Sequence, residues 1–425
     1  MKIVPLSEVC LNIVDCPHST PEWKNEGKRV IRNFNIVDGR LDFSDPYYVD
    51  EETYRARTKR AVPKYNNIVF SREAPIGKCA LIPEGFVGCL GQRLVLLIVN
   101  ESVCSPEYLL IALQSPFVLK QIEHMESSGS IVSNFGIGDL KNLQIPIVDN
   151  QDAVVNMIKP LNDKIALNNS ICSDLESMAN LLYDYWFVQF DFPDENGRPY
   201  KSSGGKMVWN DELKREIPEG WEFMYLNGQY KIDRGVSYTT KDIESGNGFA
   251  MINLACVDIN RNYKDGELKY YDGKNAEKAT ASSCDMLIAC TDLTRNRAII
   301  GCPVLVPTDG IEYVYSMDMA KISFTSNKLK DMYMYMTLRT DCYHEYIKKW
   351  ASGTNVLHLD LTGLDWYGIS VPPIDLQKKF SEIVLDVHLK KSNLMSENRE
   401  LAELRDFLLP MLMNGQIKIE DVKAS

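Results

Sequence analysis

Apolar residues recurring at alternating third and fourth positions run through two long segments of the chain. In the first, the stripe is Val154, Met157, Leu161, Lys164, Asn168, Ile171, Leu175, Met178 and Leu182. In the second, the positions 226 further on are Phe380, Ile383, Val387, Lys390, Leu394, Glu397, Leu401, Leu404 and Leu408. Such spacing lays side chains along one helix face and predicts a seam between paired helices. Its members are Val154, Met157, Leu161, Leu175, Met178 and Leu182 with Phe380, Ile383, Val387, Leu401, Leu404 and Leu408. Polar Lys390 and Glu397 make the seam imperfect mid-length. Two amphipathic helices, each packed on its own domain, are the alternative; the register shared at one offset favours pairing.

Asp149 or Asn150 can cap the first helix and Asn414-Gly415 can close the second, with Pro410 near its end, where a lost hydrogen bond costs least. From Gln151 to Val188 a helix would run about 57 Å at ~1.5 Å per residue. Before each helix come short apolar runs broken by Gly, Pro, Asn and Asp, NNIVFSREAPIGKCALIPEGF and CDMLIACTDLTRNRAIIGCPVLVP, which predict strands and turns. PEYLLIALQSPFVLKQI and KDMYMYMTLRTDCYHEYIKKW each predict one helix. SSGSIVSNFGIGDLKNLQIPIVDNQ (127–151) then lines up with ASGTNVLHLDLTGLDWYGISVPPIDLQ (351–377). Both carry S-G-S/T and a strand-like stretch ending in Pro, then Asp and Gln, so the chain contains an internal repeat. The stretch DFPDENGRPYKSSGGKMVWNDELKREIPEGW between the halves is turn-rich and reads as a linker with little core of its own. The expected layout is a mixed α and β domain over 1–149, a helix over 150–190, a linker over 191–220, a second domain over 221–375, a helix over 376–415 and a tail over 416–425.

Composition narrows the function. With 425 residues, 45% hydrophobic and 25% charged, the chain has the make-up of a multi-domain globular protein. Pro5 and Glu8 interrupt the first apolar stretch, which is therefore not expected to act as a signal peptide, and no run reaches the length of a membrane span. The 11 cysteines are scattered, with no C-x-x-C pair, and read as reduced core thiols of a cytosolic protein. The five histidines lack H-E-x-x-H spacing, so no metal is expected. A net charge of -11 argues against a nucleic-acid partner on average, yet the charge is segregated. Residues 149–198 hold nine acids against three bases, whereas RARTKRAVPK (55–64) holds five bases and no acid.

Catalytic signatures fail one by one. Asp45-Pro46-Tyr47-Tyr48 lacks one Pro of an adenine-methylating motif, and Pro372-Pro373 is flanked by Val371 and Ile374. The glycines of NFGIGDL (Phe135, Gly136, Gly138) face HLDLTGL in the repeat, which makes them a shared turn and not a cofactor loop. Pro193-Asp194 followed by Glu212-Leu213-Lys214 offers the order of a nuclease motif, but in a turn-rich linker. SSGGK lacks the leading glycine of a phosphate loop and continues into Met207.

The segment LLYDYWFVQFDFPDENGRPYKSSGGKMVWNDELKREIPEGWE, the IPIVDNQ and VPPIDLQ helix starts and the LRDFLLPMLMNGQI ending together resemble the specificity subunits of Type I restriction-modification systems, over the full chain. That resemblance implies two α+β target-recognition domains separated by a pair of long antiparallel coiled-coil helices. Each domain would read one half of a bipartite site in double-stranded DNA. The helices would dock two modification subunits carrying S-adenosylmethionine, and restriction subunits would add ATP- and Mg-dependent translocation and cleavage. No catalysis or cofactor is expected on this chain. Alternatives are a stand-alone nucleic-acid-modifying enzyme and a repeat scaffold holding two protein partners.

For DNA contact, bases interleaved with amides suit phosphate positioning and base-edge reading. In the first domain these are Arg29, Arg32, Asn33, Lys59, Arg60, Lys64, Arg72, Gln92 and Arg93. In the second they are Lys231, Arg234, Lys241, Asn253, Arg261, Arg295 and Arg297. Tyr238 and Tyr263 are of a type that stacks on bases and equally of a type that fills cores. The aromatic cluster Tyr183, Tyr185, Trp186, Phe187, Phe190 and Phe192 suits either a partner surface or burial of the helix end.

Overall fold

The structure, a computed structural model, describes residues 1–416 except 74, 128–135, 244–246, 266–267, 295 and 415. Two compact units emerge: Met1–Leu167 together with the chain from Asn398 onward, and Asn168–Glu397. The boundary falls inside each long helix, so unit 1 holds the start of the first and the end of the second.

Besides a short hairpin, Ile36–Val37 with Arg40–Leu41, unit 1 holds the strands β1 (Lys2–Pro5), β2 (Cys10–Asp15), β3 (Lys28–Ile31), β4 (Tyr47–Val49), β5 (Ile68–Ser71), β6 (Cys79–Leu81), β7 (Gly88–Leu90), β8 (Leu94–Val99) and β9 (Gln144–Ile147). Unit 2 has a counterpart for each: β10 (Glu222–Tyr225), β11 (Tyr230–Arg234), β12 (Phe249–Ile252), β13 (Lys269–Tyr271), β14 (Met286–Ala289), β15 (Pro303–Leu305), β16 (Tyr313–Tyr315), β17 (Met319–Phe324) and β18 (Gly368–Val371). The four-stranded sheet has order β2-β8-β5-β6 in one and β11-β17-β14-β15 in the other. In the second sheet, β3 pairs antiparallel with β4 and parallel with β7, and β12 pairs likewise with β13 and β16. First and last strands close each unit as antiparallel pairs, β1 with β9 and β10 with β18. The repeat seen in the sequence is thus a repeat of topology.

One expectation needs correction in both units. Each segment expected to form one helix forms two, Pro106–Leu113 with Pro116–Ser127, and Asp331–Thr337 with Asp341–Ile347. Pro116 has no N–H to continue the first helix, and the Thr340 side chain caps a new start by accepting from the Tyr343 N–H at 3.2 Å.

The long helices are α1 (Gln151–Tyr183) and α2 (Ile374–Met413). Asn150 caps α1 through the Ala153 N–H at 3.2 Å, and a single π-helical turn, Asp184–Val188, extends its end. Gly415, expected to close α2, lies outside the described residues. Within unit 2 the helices run antiparallel: Asn168 donates to Glu397 at 2.8 Å, Glu176 pairs with Lys391, and Tyr183 meets Phe380 with ring centres 5.9 Å apart. Within unit 1 the order is the same, Arg405 reaching Asn162 at 3.4 Å.

Burial shifts the phase of the expected seam. Val154 and Phe380 are buried and Leu161, Leu175, Val387 and Leu401 half-buried, as a stripe requires. Met157, Leu182 and Leu408 also lie partly buried against the unit cores. Met178, Ile383 and Leu404, however, are 63%, 41% and 45% exposed, while the next residues or near neighbours Ala179, Val384 and Arg405 turn inward. The seam steps by four and then three, through Val154, Ile158, Leu161, Ile165 and Asn168, where three and then four was expected. Adjacent apolar residues such as Met157-Ile158 and Met178-Ala179 support either phase, and the smaller or branched member packs inside.

The aromatic cluster is core. Tyr183, Trp186, Phe187 and Phe190 are buried with Phe380, Tyr333 and Trp221, and only Tyr185 among the six is exposed. The linker contributes a hairpin, Met207–Asn210 with Arg215–Pro218, whose Ile217 joins the same core. Moving 226 positions on from Tyr183, Trp186 and Phe187 gives Leu409, Leu412 and Met413, which are buried in unit 1 around Tyr108 and Val154. The end of α2 therefore does for unit 1 what the end of α1 does for unit 2.

The glutamines singled out by the repeat act as matched latches. Gln151 accepts from the Ser105 N–H and donates to the Val103 carbonyl, both at 2.9 Å. Gln377 accepts from the Lys330 N–H at 3.0 Å and donates to the Lys328 and Pro372 carbonyls at 2.9 and 2.8 Å. Each ties the first turn of a long helix to the loop that opens the helix pair of its own domain.

Candidate nucleic-acid interface

Two loops of unit 1 meet beside the ends of β3 and β7. The Gly91 N–H donates to the Ile31 carbonyl at 2.7 Å, and the Arg72 N–H to the Arg93 carbonyl at 2.9 Å. The cleft there measures ≈ 490 Å³ and is lined by Thr20, Trp23, Arg32, Asn33, Phe34, Pro75, Lys78, Gln92 and Arg93. Four residues expected to touch DNA, Arg32, Asn33, Gln92 and Arg93, thus come together from sequence positions sixty residues apart. Asn33 donates to the Glu73 carbonyl at 2.5 Å, Arg93 pairs with Glu73 at 3.1 Å, and Gln92 donates to Thr20. Trp23, Phe34 and Lys78 were not foreseen, because isolated aromatics and a lone lysine carry no pattern in the sequence.

The same backbone bonds identify the corresponding place in unit 2. The Ser316 N–H donates to the Ile252 carbonyl at 3.0 Å, and the Cys290 N–H to the Asp318 carbonyl at 2.7 Å. Asn253 therefore stands where unit 1 has Arg32, and Met317-Asp318 where it has Gln92-Arg93. The basic rim of one unit is replaced by an amide, a thioether and a carboxylate. Asp318 accepts from the Thr291 hydroxyl at 2.9 Å, in the place of the Arg93–Glu73 pair.

Other expected contacts scatter. Lys59, Arg60 and Lys64 are exposed along one stretch, Arg60 reaching the Asp15 carbonyl at 3.3 Å, and exposed Arg29 lies over the Phe43 ring at 5.3 Å. Lys231 and Arg234 are exposed on β11, and Lys241 is exposed in the turn Thr240–Asp242. Arg261, in a left-handed conformation at φ 66, pairs with Asp341, and Arg297 donates to the Lys348 carbonyl at 2.8 Å. Arg295 lies outside the described residues.

Two placements correct the expectation. Arg72 is 6% exposed and its guanidinium pairs with Asp15 at 2.8 Å, and Asn253 is 6% exposed with its side chain accepting from the Ala255 N–H at 2.8 Å. Asn253 is spent on its own loop's backbone and Arg72 on a carboxylate, since a buried polar group must be satisfied from within. Arg57, which the sequence did not single out, is a similar clasp, donating to the Leu90, Ser19 and Pro17 carbonyls at 3.0, 2.9 and 3.1 Å. Tyr238 and Tyr263 pack partly buried against the core of unit 2. The 11 cysteines carry no disulfide and eight of them are buried. Burial pushes the thiols of Cys10, Cys79 and Cys302 up to about 12, which keeps them protonated and inert.

Residues 1–177 match the family described as the Type I restriction modification DNA specificity domain. The MjaIX specificity subunit of Methanocaldococcus jannaschii, a Type I restriction enzyme, is 24% identical over 388 residues, covering 88% of this chain and 82% of its own. The chain is thus similar to Type I specificity subunits, through a family domain over residues 1–177 and through full-length relatives. The HindI specificity subunit of Haemophilus influenzae is similarly 24% identical, over 75% of this chain and 79% of its own. The fold is similar to the crystal structure of the Type I S subunit from M. genitalium, at 15% identity and a TM-score of 0.53, covering 97% of this chain and 95% of that one. That likeness is one of fold, at low sequence identity. No helix among the described residues is long and apolar enough to cross a membrane.

Proposed function

We propose that this chain is the DNA sequence-recognition subunit of a Type I restriction-modification complex, each domain reading one half of a bipartite site in double-stranded DNA. The observation that carries the reading is a shared strand frame whose equivalent loops bear different chemistry, Arg32 and Gln92-Arg93 against Asn253 and Met317-Asp318. A frame that is kept while its rim changes suits two readers of unlike half-sites. Similarity to Type I specificity subunits supports the reaction class.

The helices dock the modification subunits. Met178, Leu181, Tyr185 and Val188 are 63%, 68%, 37% and 47% exposed at three- and four-residue spacing along the end of α1 in unit 2. At 226 positions further on, Leu404 and Phe407 are 45% and 66% exposed on α2 in unit 1. An apolar stripe left in solvent, repeated at the offset that relates the two halves, fits two copies of one protein partner. S-adenosylmethionine belongs to those subunits, and ATP and Mg to the restriction subunits, so this chain selects the site and performs no chemistry.

Purified chain combined with modification subunits and S-adenosylmethionine should methylate adenine only at one bipartite sequence. Methylation or cleavage by the chain alone, with S-adenosylmethionine or Mg²⁺, would replace this reading with an enzymatic one.

A further inference from the structure

Three rings hold Arg32 in unit 1. Its guanidinium carbon lies 4.4 Å from the centre of the Tyr47 ring, 4.6 Å from Phe34 and 5.1 Å from Trp23. Tyr47 in turn meets Trp23 and Phe34 edge-on at 5.0 and 5.6 Å, so the cage is a packed unit. A guanidinium offers five N–H donors in a planar fork. Among the described residues no hydrogen bond or ion pair engages the fork of Arg32, which lines the ≈ 490 Å³ cleft. Neighbouring arginines are already committed: Arg57 to three carbonyls, Arg72 to Asp15 and Arg93 to Glu73.

An arginine fixed by aromatic faces with its donors unspent gives up little side-chain freedom when it meets an acceptor pair. Guanine displays such a pair, O6 and N7, in the major groove, and a bidentate arginine is its usual partner. Resting on the reading of the chain as a specificity subunit, we infer that Arg32 reads a guanine in the half-site of unit 1, within the cleft it shares with Gln92 and Lys78. Unit 2 has no such reader at the corresponding position, where the side chain of Asn253 is spent on the Ala255 N–H. The cage residues Trp23, Phe34 and Tyr47 are positioning residues.

The test uses the full chain assembled with its modification subunits and a library of randomised duplexes, selected by binding and then sequenced. The wild type should enrich one bipartite motif containing guanine in one half. Arg32→Ala should abolish the preference at that position alone, by about 5- to 150-fold, and leave the other positions intact. Arg32→Lys should do the same while keeping a cation over the rings, which separates lost reading from a collapsed cage. Lys78→Ala should weaken all sequences together. An unchanged motif in both Arg32 variants overturns the inference, as does a uniform loss with a shallower salt dependence, the mark of a phosphate contact. A wild-type complex that enriches no motif overturns the specificity-subunit reading itself.

Discussion

The two domains of this chain share a strand order and differ in what they place on it. β2-β8-β5-β6 and β11-β17-β14-β15 are built by the same connections, and the same carbonyls anchor the loops at their rims. Differences concentrate in two kinds of place. Rim side chains exchange cation for amide or carboxylate, as function would require. Core side chains exchange size at matched positions, Phe380 for Val154 and Tyr183 for Leu409. Topology is therefore set by backbone bonding and patterning that tolerate much substitution, whereas recognition and packing detail are set locally. The stability of the two units should differ where equivalent residues differ in buried volume and bonding.

The largest contrast is at the start of the long helices. Phe380 is fully buried, meeting Phe187 at 4.8 Å and Trp186 at 5.7 Å between ring centres. Phe380→Ala should cost unit 2 about 3–5 kcal/mol, while Val154→Ala, losing two methyl groups, should cost unit 1 about 1.6 kcal/mol. Calorimetric melting of the two variants would show whether the matched positions are unequal; equal losses would mean that size at this position does not govern stability. The latches come next. Gln377 is 0% exposed with three bonds, so Gln377→Ala strands three buried backbone groups and should cost about 3 kcal/mol. Gln151→Ala strands two in a half-buried setting and should cost about 1–2 kcal/mol. Local hydrogen exchange at Ser105 and Lys330, whose N–H groups the glutamines hold, reports each latch directly.

Docking variants bear on the same symmetry from outside. Leu181→Asp on α1 and Phe407→Asp on α2 lie at matched positions on exposed faces. Each should leave the melting temperature nearly unchanged and weaken one modification subunit by about 2 kcal/mol or more, as for the centre of an interface. Analytical ultracentrifugation should find one subunit retained in each single variant and none in the double variant. Full assembly by the double variant would remove the stripe from the docking surface.

Much of this was legible beforehand because it rested on spacing. The repeat, both long helices and the glutamines at offset 226 follow from patterns along the chain. The seam phase was not legible: Met157-Ile158 and Met178-Ala179 offer two apolar stripes one residue apart, and only packing against the other helix chooses between them. Arg72 and Asn253 look like surface recognition residues in one dimension and are buried clasps in three. The cage around Arg32 draws Trp23, Phe34 and Tyr47 from separate segments, an association that exists only once β3 and β4 have paired.

A last asymmetry concerns acid. Burial lowers the pKa of His388 on α2 from 6.5; the Val306 carbonyl that accepts from its ring at 3.0 Å and nearby Asp309 oppose the shift, and Lys391 adds to it. His344 is lowered for the same leading reason, beside the Arg297 carbonyl at 3.0 Å. Both belong to unit 2, and the residue 226 positions before His388 is Asn162, which does not titrate. A histidine whose folded-state pKa lies below its unfolded value binds its proton more readily when unfolded. Its contribution is therefore present above about pH 6.5 and is lost as pH falls from there through the folded-state pKa. Unit 2 should lose melting temperature more steeply than unit 1 on going from about pH 7.5 to about pH 5.5. His388→Gln, whose amide can still donate to the Val306 carbonyl, should flatten the profile of unit 2 and leave that of unit 1 alone. Parallel profiles for the two units in the wild type, or an unflattened one in the variant, would show that the buried histidine does not distinguish them.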